Sequence, residues 1–306
     1  LNGMKDYDVV ILTDSRYVNP KKSNPYIANV LKEDGLVQDA LERENLKIIK
    51  KDWNDSSFNW SNTKTALFRS TWDYFDQFSN FQKWLHHVNN QCVLINPFEQ
   101  INWNLDKHYL QDLKSWGLPI PESFFVNKNS NTVLKNIVEQ KKWKHIVIKP
   151  TVSGAARHTY SLKNDEIENF QTKWIKLTNK EDFIVQEFQN NVIKKGEIAV
   201  MLIGGEFSHA ILKKAKKGDF RVQDDFGGTV EVINPSNDII QLAEQTIKKL
   251  TPTPIYARVD IILNNDEQPV IMELELIEPE LWFRFKEDSA KKLGALVKEF
   301  LNNLDT

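Results

Sequence analysis

The stretch that most constrains the fold is residues 255–280, which read IYARVDIILNNDEQPVIMELELIEPE. Two apolar runs flank the turn formers at 264–267, a pattern that predicts a β-hairpin with a loop of four or five residues. Asp260 interrupts the first run, whereas Glu273 and Glu275 alternate with apolar residues in the second. Because side chains alternate along a strand, both glutamates share one face, and Asp260 on the partner strand can lie opposite them.

Two explanations fit three carboxylates on one side of a hairpin. Carboxylates repel one another unless a cation lies between them, and oxygen-only ligands suit Mg²⁺, which often keeps substrate phosphates in its coordination shell. Alternatively, the acidic face is solvated, since antiparallel sheets often expose one side. The neighbouring Arg258 and the Glu278–Glu280 corner add more charge than a solvated face needs. The hairpin alone gives the two explanations equal weight, and the rest of the chain decides between them.

Length and charge narrow the class of protein. A chain of 306 residues is long enough for two domains, or for one α/β domain with subdomains. Its 40 basic and 42 acidic residues give a net charge of −2, so we expect neither nucleic acid nor a membrane as the main partner. The single cysteine, Cys92, excludes an intrachain disulfide and favours a reduced compartment. No run approaches about 20 apolar residues, so we predict no transmembrane helix and a cytoplasmic location.

The first part of the chain alternates short apolar runs with helical patterns. Residues 8–13 (DVVILT) are typical of a buried parallel strand, and further strands are expected near 47–50, 66–68 and 92–95. Apolar residues recur at helical spacing between them. The pattern therefore predicts an α/β domain that opens with a βαβ unit.

Polar residues follow the strand at 66–68 and are candidates for substrate binding. Arg69, Ser70, Thr71 and Asp73 come directly after it, where open α/β sheets bind ligands. We expect them to contact an amino-acid-like substrate, with Arg69 holding a carboxylate in a bidentate pair. The alternative is that the aromatic residues between them belong to the core and that Arg69 is a surface charge.

The middle of the chain contains a weak phosphate-binding pattern. Asn104 is expected to cap a helix that carries Lys107 in its first turn. A predicted strand then ends in Lys149, and the loop after it, 151–157, is built mostly of small residues that let backbone N–H groups approach an anion. Alone, this arrangement is more often a simple turn. Further on, strands are expected near 183–188, 198–203 and 207–212, and a basic segment follows from Lys213 to the glycine pair at 227–228.

In this order, over nearly the whole chain, the segments resemble the ATP-grasp superfamily. The sequences STWDY (70–74), KPTVSGAARHT (149–159) and ELELIEPEL (273–281) are similar to a glutathione-synthetase-like bacterial branch that includes O-ureido-D-serine cyclo-ligase. The resemblance implies an α/β N-terminal substrate domain (1–103) and two α+β lobes that grip ATP, lobe A (104–188) and lobe B with the metal site (189–306). Many relatives have Asn where this chain has Glu275, so the acidic cluster here carries one more negative charge.

The resemblance also implies roles for individual residues. Nucleotide binding falls on Lys107, Lys149, Ser153, Gly154, Gln186, Glu187, Phe188 and Glu197. Lys213, Arg221 and Arg258 resemble the cations that meet the γ-phosphate or the acyl phosphate. Asp260, Glu273 and Glu275 match the magnesium ligands. The loop after Lys149 and the basic segment at 213–228 are expected to form a moving lid.

The activity that the resemblance implies is an ATP-dependent carboxylate–amine ligase that uses ATP and two Mg²⁺ ions. It would act on a small amino acid or peptide through an acyl phosphate, releasing ADP and phosphate. Two alternatives stay open: an ATP-binding regulatory protein of the same fold without turnover, and a small-molecule kinase. The sequence also leaves homo-oligomer formation open.

Overall fold

The computed structural model describes residues 5–22, 24–154, 156–216 and 228–304. The first sheet is parallel and begins the chain. Its strands are β1 (Tyr7–Thr13), β2 (Ile48–Asp52), β3 (Thr63–Ser70) and β4 (Val93–Ile95). They lie in the order β2-β1-β3-β4. The helices that connect them are α1 (Ser15–Val18), α2 (Pro25–Arg43) and α3 (Phe78–Asn89). Residues 9–12 of β1 are fully buried, as expected for the central strand of a parallel sheet covered by helices.

Two short helices follow the first sheet, and here the structure corrects one prediction. They are α4 (Phe98–Asn104) and α5 (Tyr109–Ser115). Asn104 therefore ends α4 and caps no helix. Its buried amide instead donates to the carbonyl of Leu274 (2.8 Å) and accepts from the N–H of Leu276 (2.8 Å). An asparagine before a helical pattern is typical of a cap, but the amide is used here to join α4 to a distant strand.

The second sheet is antiparallel and forms the middle of the chain. Its strands are β5 (Ser123–Val126), β6 (His145–Pro150), β7 (Tyr160–Lys163) and β8 (Phe183–Glu187). They lie in the order β5-β8-β6-β7. Helices α6 (Leu134–Lys141) and α7 (Asn164–Thr178) pack on one side, where Trp174 and Phe183 meet edge to face at 5.5 Å. The antiparallel pairing of β6 with β8 places Lys149, near the end of β6, opposite Ile184 near the start of β8.

The third sheet is antiparallel and contains the predicted hairpin. After α8 (Asn191–Lys195), its strands are β9 (Glu197–Ile203), β10 (Glu206–Lys214), β11 (Thr229–Ile233), β12 (Tyr256–Leu263) and β13 (Pro269–Glu275). They lie in the order β11-β10-β9-β12-β13. Helix α9 (Asn237–Ile247) precedes β12, and α10 (Glu287–Leu304) follows the sheet. The hairpin of β12 and β13 is confirmed, and it pairs Asp260 with Glu273 and Arg258 with Glu275.

The first and third sheets share one apolar core. Helix α10 packs against α2 so closely that a Cβ on Gly294 would lie 2.7 Å from the carbonyl oxygen of Ala40. Asn96, just after β4, donates to the carbonyls of Tyr256 and Leu276 (both 2.9 Å) and accepts from the N–H of Ile255 (2.7 Å). These buried contacts fix the acidic hairpin against the carboxyl edge of the first sheet. Among the described helices, none combines the length and the apolar character needed to cross a membrane.

Candidate active site

A cavity of about 370 Å³ lies where the three sheets meet. The first sheet contributes residues from the loops after β1 and β3. The second sheet contributes the ends of β6 and β8, and the third contributes the acidic hairpin. The predicted site residues that line the cavity are Lys107, Lys149, Ser153, Gly154, Gln186, Glu187, Phe188, Glu197, Lys213, Arg258, Asp260, Glu273 and Glu275. The structure thus brings together side chains that are up to about 170 residues apart in sequence.

Asp260 is the centre of a buried ion-pair network. Its Oδ1 accepts from Arg258 Nε (2.8 Å), and its Oδ2 accepts from Arg258 Nη2 (2.9 Å) and from Lys213 Nζ (2.9 Å). Lys213 also pairs with Glu197 at 2.5 Å. Burial alone would raise the pKa of Asp260, but attraction to Arg258 and Lys213 outweighs it and lowers the pKa to about 2. Asp260 is therefore an anion at neutral pH.

The two glutamates of β13 differ in their partners. Glu273 pairs with Lys107 at 2.8 Å, and the attraction of Lys107 and Lys149 lowers its pKa in spite of burial. Glu275 pairs closely with Arg258. Burial nevertheless raises the pKa of Glu275 to about 8, and the nearby Asp260 and Glu273 charges add to that effect. Glu275, the additional carboxylate of this sequence, is thus the member of the cluster for which ionisation is least favourable.

The carboxylate cluster fits a magnesium site. Asp260, Glu273 and Glu275 supply only oxygen donors from facing positions of one hairpin, which is the donor set that Mg²⁺ prefers. Such a cluster also needs a counter-charge, which Lys107, Lys213 and Arg258 supply in this structure.

Lys149 differs from the other cations of the site. Within the described part of the chain, its ammonium has no recorded hydrogen-bond or ion-pair partner, although it lines the cavity. Burial lowers its pKa. By contrast, Lys107 donates to the carbonyl of Ser153 (2.9 Å) as well as to Glu273. An unpaired ammonium beside a loop of small residues is suited to bind an anionic ligand.

The loop after Lys149 approaches the cavity closely at Gly154. A Cβ at this position would lie 2.5 Å from the ring of Phe75, so only glycine fits without movement of that ring. The hydroxyl of Ser153 donates to the carbonyl of Pro150 at 3.1 Å and holds the loop in a tight turn.

The end of β8 forms a further part of the wall. The side chain of Gln186 donates to the hydroxyl of Ser123 (2.9 Å). The ring of Phe188 stacks on His145 with the centroids 3.9 Å apart, and its N–H donates to the His145 carbonyl (2.9 Å). Glu187 lies between them, and burial raises its pKa. These contacts fix the backbone where the chain leaves the second sheet for the third.

The predicted substrate residues at the end of β3 and just after it do not reach the cavity. Arg69 is only 2% exposed, donates to the carbonyl of Pro279 (3.1 Å) and lies 5.9 Å from the ring centroids of both Tyr256 and Phe283. The other three are engaged or buried: Ser70 bonds Thr13 and Asp34, Thr71 is fully buried, and Asp73 accepts from Trp53. The segment at 278–280 separates Arg69 from the ligand space. Arg221 lies outside the described residues.

The cavity instead receives Arg16, Tyr17, Tyr26 and Trp72 from the first sheet and its loops. Sequence reasoning missed Arg16 and Tyr17, although the rule that ligands bind at the carboxyl ends of parallel strands applies to β1 as well as to β3. The sequence left Trp72 open as either a core aromatic or part of the polar cluster that follows the strand at 66–68. It lines the cavity, and its indole N–H donates to the carbonyl of Glu278 at 2.9 Å.

Comparisons with known proteins identify the family to which the fold belongs. A family model described as the RimK-like ATP-grasp domain matches residues 110–281, and one described as the N-terminal domain of D-cycloserine synthetase DcsG matches residues 9–96. The cycloserine biosynthesis protein DcsG of Streptomyces lavendulae is 27% identical over 270 residues, which cover 82% of this chain and 87% of that protein.

Solved structures show the same fold. The crystal structure of D-cycloserine synthetase DcsG superposes with a TM-score of 0.85 at 23% identity, covering 96% of this chain and 99% of the other. The D-alanine–D-alanine ligase of Bacillus anthracis, solved with ATP, has a TM-score of 0.67 at 14% identity and covers 97% and 98% of the two chains.

Proposed function

The chain belongs to the RimK-like ATP-grasp family, and from that premise we propose that it is an ATP-dependent carboxylate–amine ligase that releases ADP and phosphate. The predicted ATP-grasp fold and the ligase class are confirmed. Its relatives are named for cycloserine biosynthesis and for D-alanine–D-alanine ligation. The substrate class we propose is accordingly a small amino acid or peptide.

One observation carries the proposal for the site: a single cavity holds both the unpaired ammonium of Lys149 and the acidic hairpin. A polyphosphate needs cations on its oxygens, and carboxylates that hold Mg²⁺ must lie close by. A solvated acidic face would not enclose its carboxylates among lysines at a buried boundary between three sheets. The arrangement therefore favours the first of the two explanations of the hairpin.

Charge balance favours two Mg²⁺ ions. ATP brings about four negative charges, which two Mg²⁺ ions neutralise. Asp260, Glu273 and Glu275 would hold the ions, and bound Mg²⁺ supplies charge neutralisation to the phosphate oxygens.

The protein's own residues then position the reactants. Lys149 and Lys107 bind phosphate oxygens, and the backbone at 186–188 holds the base against the second sheet. A substrate carboxylate oxygen attacks the γ-phosphorus, and the bond from that phosphorus to the bridging oxygen breaks, so that ADP leaves. An amine next attacks the acyl carbon, phosphate leaves, and the amine proton passes to solvent or phosphate. Arg258 stays protonated and stabilises the oxygens on which charge develops.

The test combines nucleotide binding with turnover. ATP is titrated calorimetrically with and without Mg²⁺ into the wild type and Lys149→Ala, and ADP release is followed with L- and D-amino acids plus hydroxylamine. We expect Mg²⁺-dependent binding that is lost in the variant, together with formation of a hydroxamate from the trapped acyl phosphate.

Each alternative predicts a different result. A stable phosphorylated product that forms without any amine would identify a kinase. ATP binding without ADP release for any amino acid would identify a regulatory protein of this fold. Absence of ATP binding would show that the acidic hairpin is a solvated face.

A further inference from the structure

One wall of the cavity carries a cation that the ligase chemistry above does not use. We define the amino-terminal wall as Arg16, Tyr17, Tyr26, Trp72 and Tyr74, all of which line the cavity. Arg16 lies at the start of α1, directly after β1, and thus at the carboxyl edge of the parallel sheet. Ligands of open α/β sheets bind at this edge.

The guanidinium of Arg16 is held by one edge only. Its Nε and Nη2 donate to the two oxygens of Asp14 at 2.9 and 2.6 Å, and the Arg16 backbone N–H also donates to Asp14 (2.9 Å). Asp14 is fully buried, whereas the Arg16 side chain is 55% exposed. No partner is recorded for Nη1 among the described residues. The Nη1–Nη2 edge is therefore oriented in advance and available for a planar, bidentate partner such as a carboxylate.

The side chains around Arg16 indicate a ligand that carries both a carboxylate and an ammonium group. The Arg16 guanidinium carbon lies 5.2 Å from the Tyr17 ring centroid, and Trp72 contacts the rings of Tyr17 (5.8 Å) and Tyr26 (6.4 Å). Aromatic walls lower the local dielectric and strengthen an ion pair. The carboxyl group of Glu278 lines the same cavity and can accept a hydrogen bond from an ammonium. A guanidinium and a carboxyl group in one cavity match the two polar ends of an amino acid.

We propose that Arg16 binds the free carboxylate of an amino-acid substrate, and that this carboxylate is not the one that becomes phosphorylated. The inference rests on the proposed ligase function. A carboxylate neutralised by a bidentate guanidinium is a poor nucleophile toward phosphorus, and the cations suited to hold ATP phosphates, Lys107 and Lys149, come from other elements. Arg16 thus selects an amine substrate that carries its own carboxylate. This is the role that the sequence had suggested for Arg69.

The test compares free amino acids with their α-carboxamides. Each compound is supplied as the amine substrate, together with ATP and Mg²⁺, and the panel of amino acids supplies the carboxylate substrate. Binding of each compound to the protein is measured in parallel by thermal shift. The variants are Arg16→Gln and Arg16→Lys, and the matched control is Arg43→Gln on the exposed end of α2. Because Arg16→Gln leaves the buried Asp14 unpaired, the double variant Asp14→Asn/Arg16→Gln is included; it removes both charges and keeps the side-chain oxygen that caps α1.

We expect the wild type and Arg43→Gln to favour the free acid over the carboxamide by at least tenfold in kcat/KM. In Arg16→Gln and the double variant this preference should fall to within about threefold, chiefly through KM, with intermediate behaviour in Arg16→Lys because ammonium lacks the planar fork. Calorimetric ATP binding should be unchanged in all of them.

Three results would overturn the inference. The first is an undiminished preference in both Gln variants. The second is a carboxamide that no form of the enzyme uses or binds, since that carboxylate would then be the one activated. The third is ATP binding without a thermal shift or turnover for any free amino acid. Failure of the proposed function looks different: ATP would not bind, or would bind without any ADP release, while an Arg16-dependent thermal shift with amino acids would still support the subsite.

Discussion

Replacing Lys149 by Met should move stability and nucleotide binding in opposite directions. In the ligand-free protein the ammonium is partly buried without a recorded partner among the described residues, and its lowered pKa shows that burial outweighs the attraction of Glu273. Methionine keeps the unbranched stem and removes the charge. We therefore expect the free energy of unfolding to rise by about 1–3 kcal/mol at pH 7, the range for relieving an unpaired buried polar or charged group.

With nucleotide present, the stability difference should reverse, so that the wild type becomes more stable than Lys149→Met. A charge-assisted hydrogen bond to a phosphate contributes about 1.5–3 kcal/mol, so ATP should bind the variant about 10- to 150-fold more weakly. Stabilisation by ATP depends on the ratio of free ligand to Kd and will shrink accordingly. Urea unfolding with and without Mg²⁺ and ATP measures both effects on one sample. Lys144→Met, on the exposed flank of the same lobe, is the matched control and should change neither.

The pH dependence provides an internal check. Below the lowered pKa of Lys149 the folded wild type carries the full cost of the buried ammonium. Between that pKa and the ordinary value of 10.5 the cost declines, and above it the lysine is neutral in both the folded and the unfolded state. The advantage of the variant should vanish there. A variant that is less stable than the wild type by about 1 kcal/mol or more at pH 7 would refute the reasoning, because the ammonium would then have a favourable partner in the protein.

Three further predictions test other parts of the molecule. Glu273→Gln should lower ADP release by at least about 100-fold while the protein still folds and unfolds cooperatively in urea, since the residue acts through charge; loss of the fold would instead show a structural role. Asn96→Ala breaks three buried hydrogen bonds to the hairpin and its flanks and should lower the free energy of unfolding by about 3–5 kcal/mol, whereas the exposed Asn90→Ala should change it by less than about 0.5 kcal/mol; equal effects would contradict the role given to Asn96. Burial raises the pKa of the Cys92 thiol to about 12, so a disulfide reagent at pH 8 should label one thiol per chain only after denaturation, and rapid labelling of the native protein would rule out that burial.

The strands of the first sheet and of the acidic hairpin could be predicted because their patterns are local, whereas β7 and β11 were not predicted. The run at 8–13 is apolar throughout and becomes a central parallel strand, whereas the acids of β13 alternate with apolar residues and become one face of an antiparallel pair. The two-residue alternation of a strand and the residue types of a turn can both be recognised within one short segment of sequence. The prediction of an acidic hairpin therefore needed no knowledge of distant contacts.

The outcomes at Asn104 and Arg69 depended on distant contacts and could not be predicted in this way. Asn104 precedes a helical pattern, but its amide bonds backbone groups 170 and 172 residues further along. Arg69 ends a strand at the ligand-binding edge, yet the segment at 278–280 lies over it and takes one of its N–H groups. Arg16 occupies the equivalent edge after β1, where nothing covers its outer guanidinium edge among the described residues. The segment at 278–280 covers the end of β3 and leaves Arg16 after β1 uncovered. It therefore decides which strand end can face the ligand.

Local sequence patterns also could not predict which charged side chains pair with one another in the site. The observed pairs change how ligand binding is understood. The sequence suggested carboxylates for metal and cations for phosphate as separate sets, but the structure joins them: Asp260 binds both Arg258 and Lys213, and Glu273 binds Lys107. Buried carboxylates without these partners would be protonated or would destabilise the fold. In the proposed site, binding of a metal nucleotide would therefore be an exchange of partners, in which cations move from carboxylates to phosphates and carboxylates from cations to metal. In the proposed exchange the ammonium of Lys149 can bind a phosphate first, because among the described residues it has no hydrogen-bond or ion-pair partner to give up.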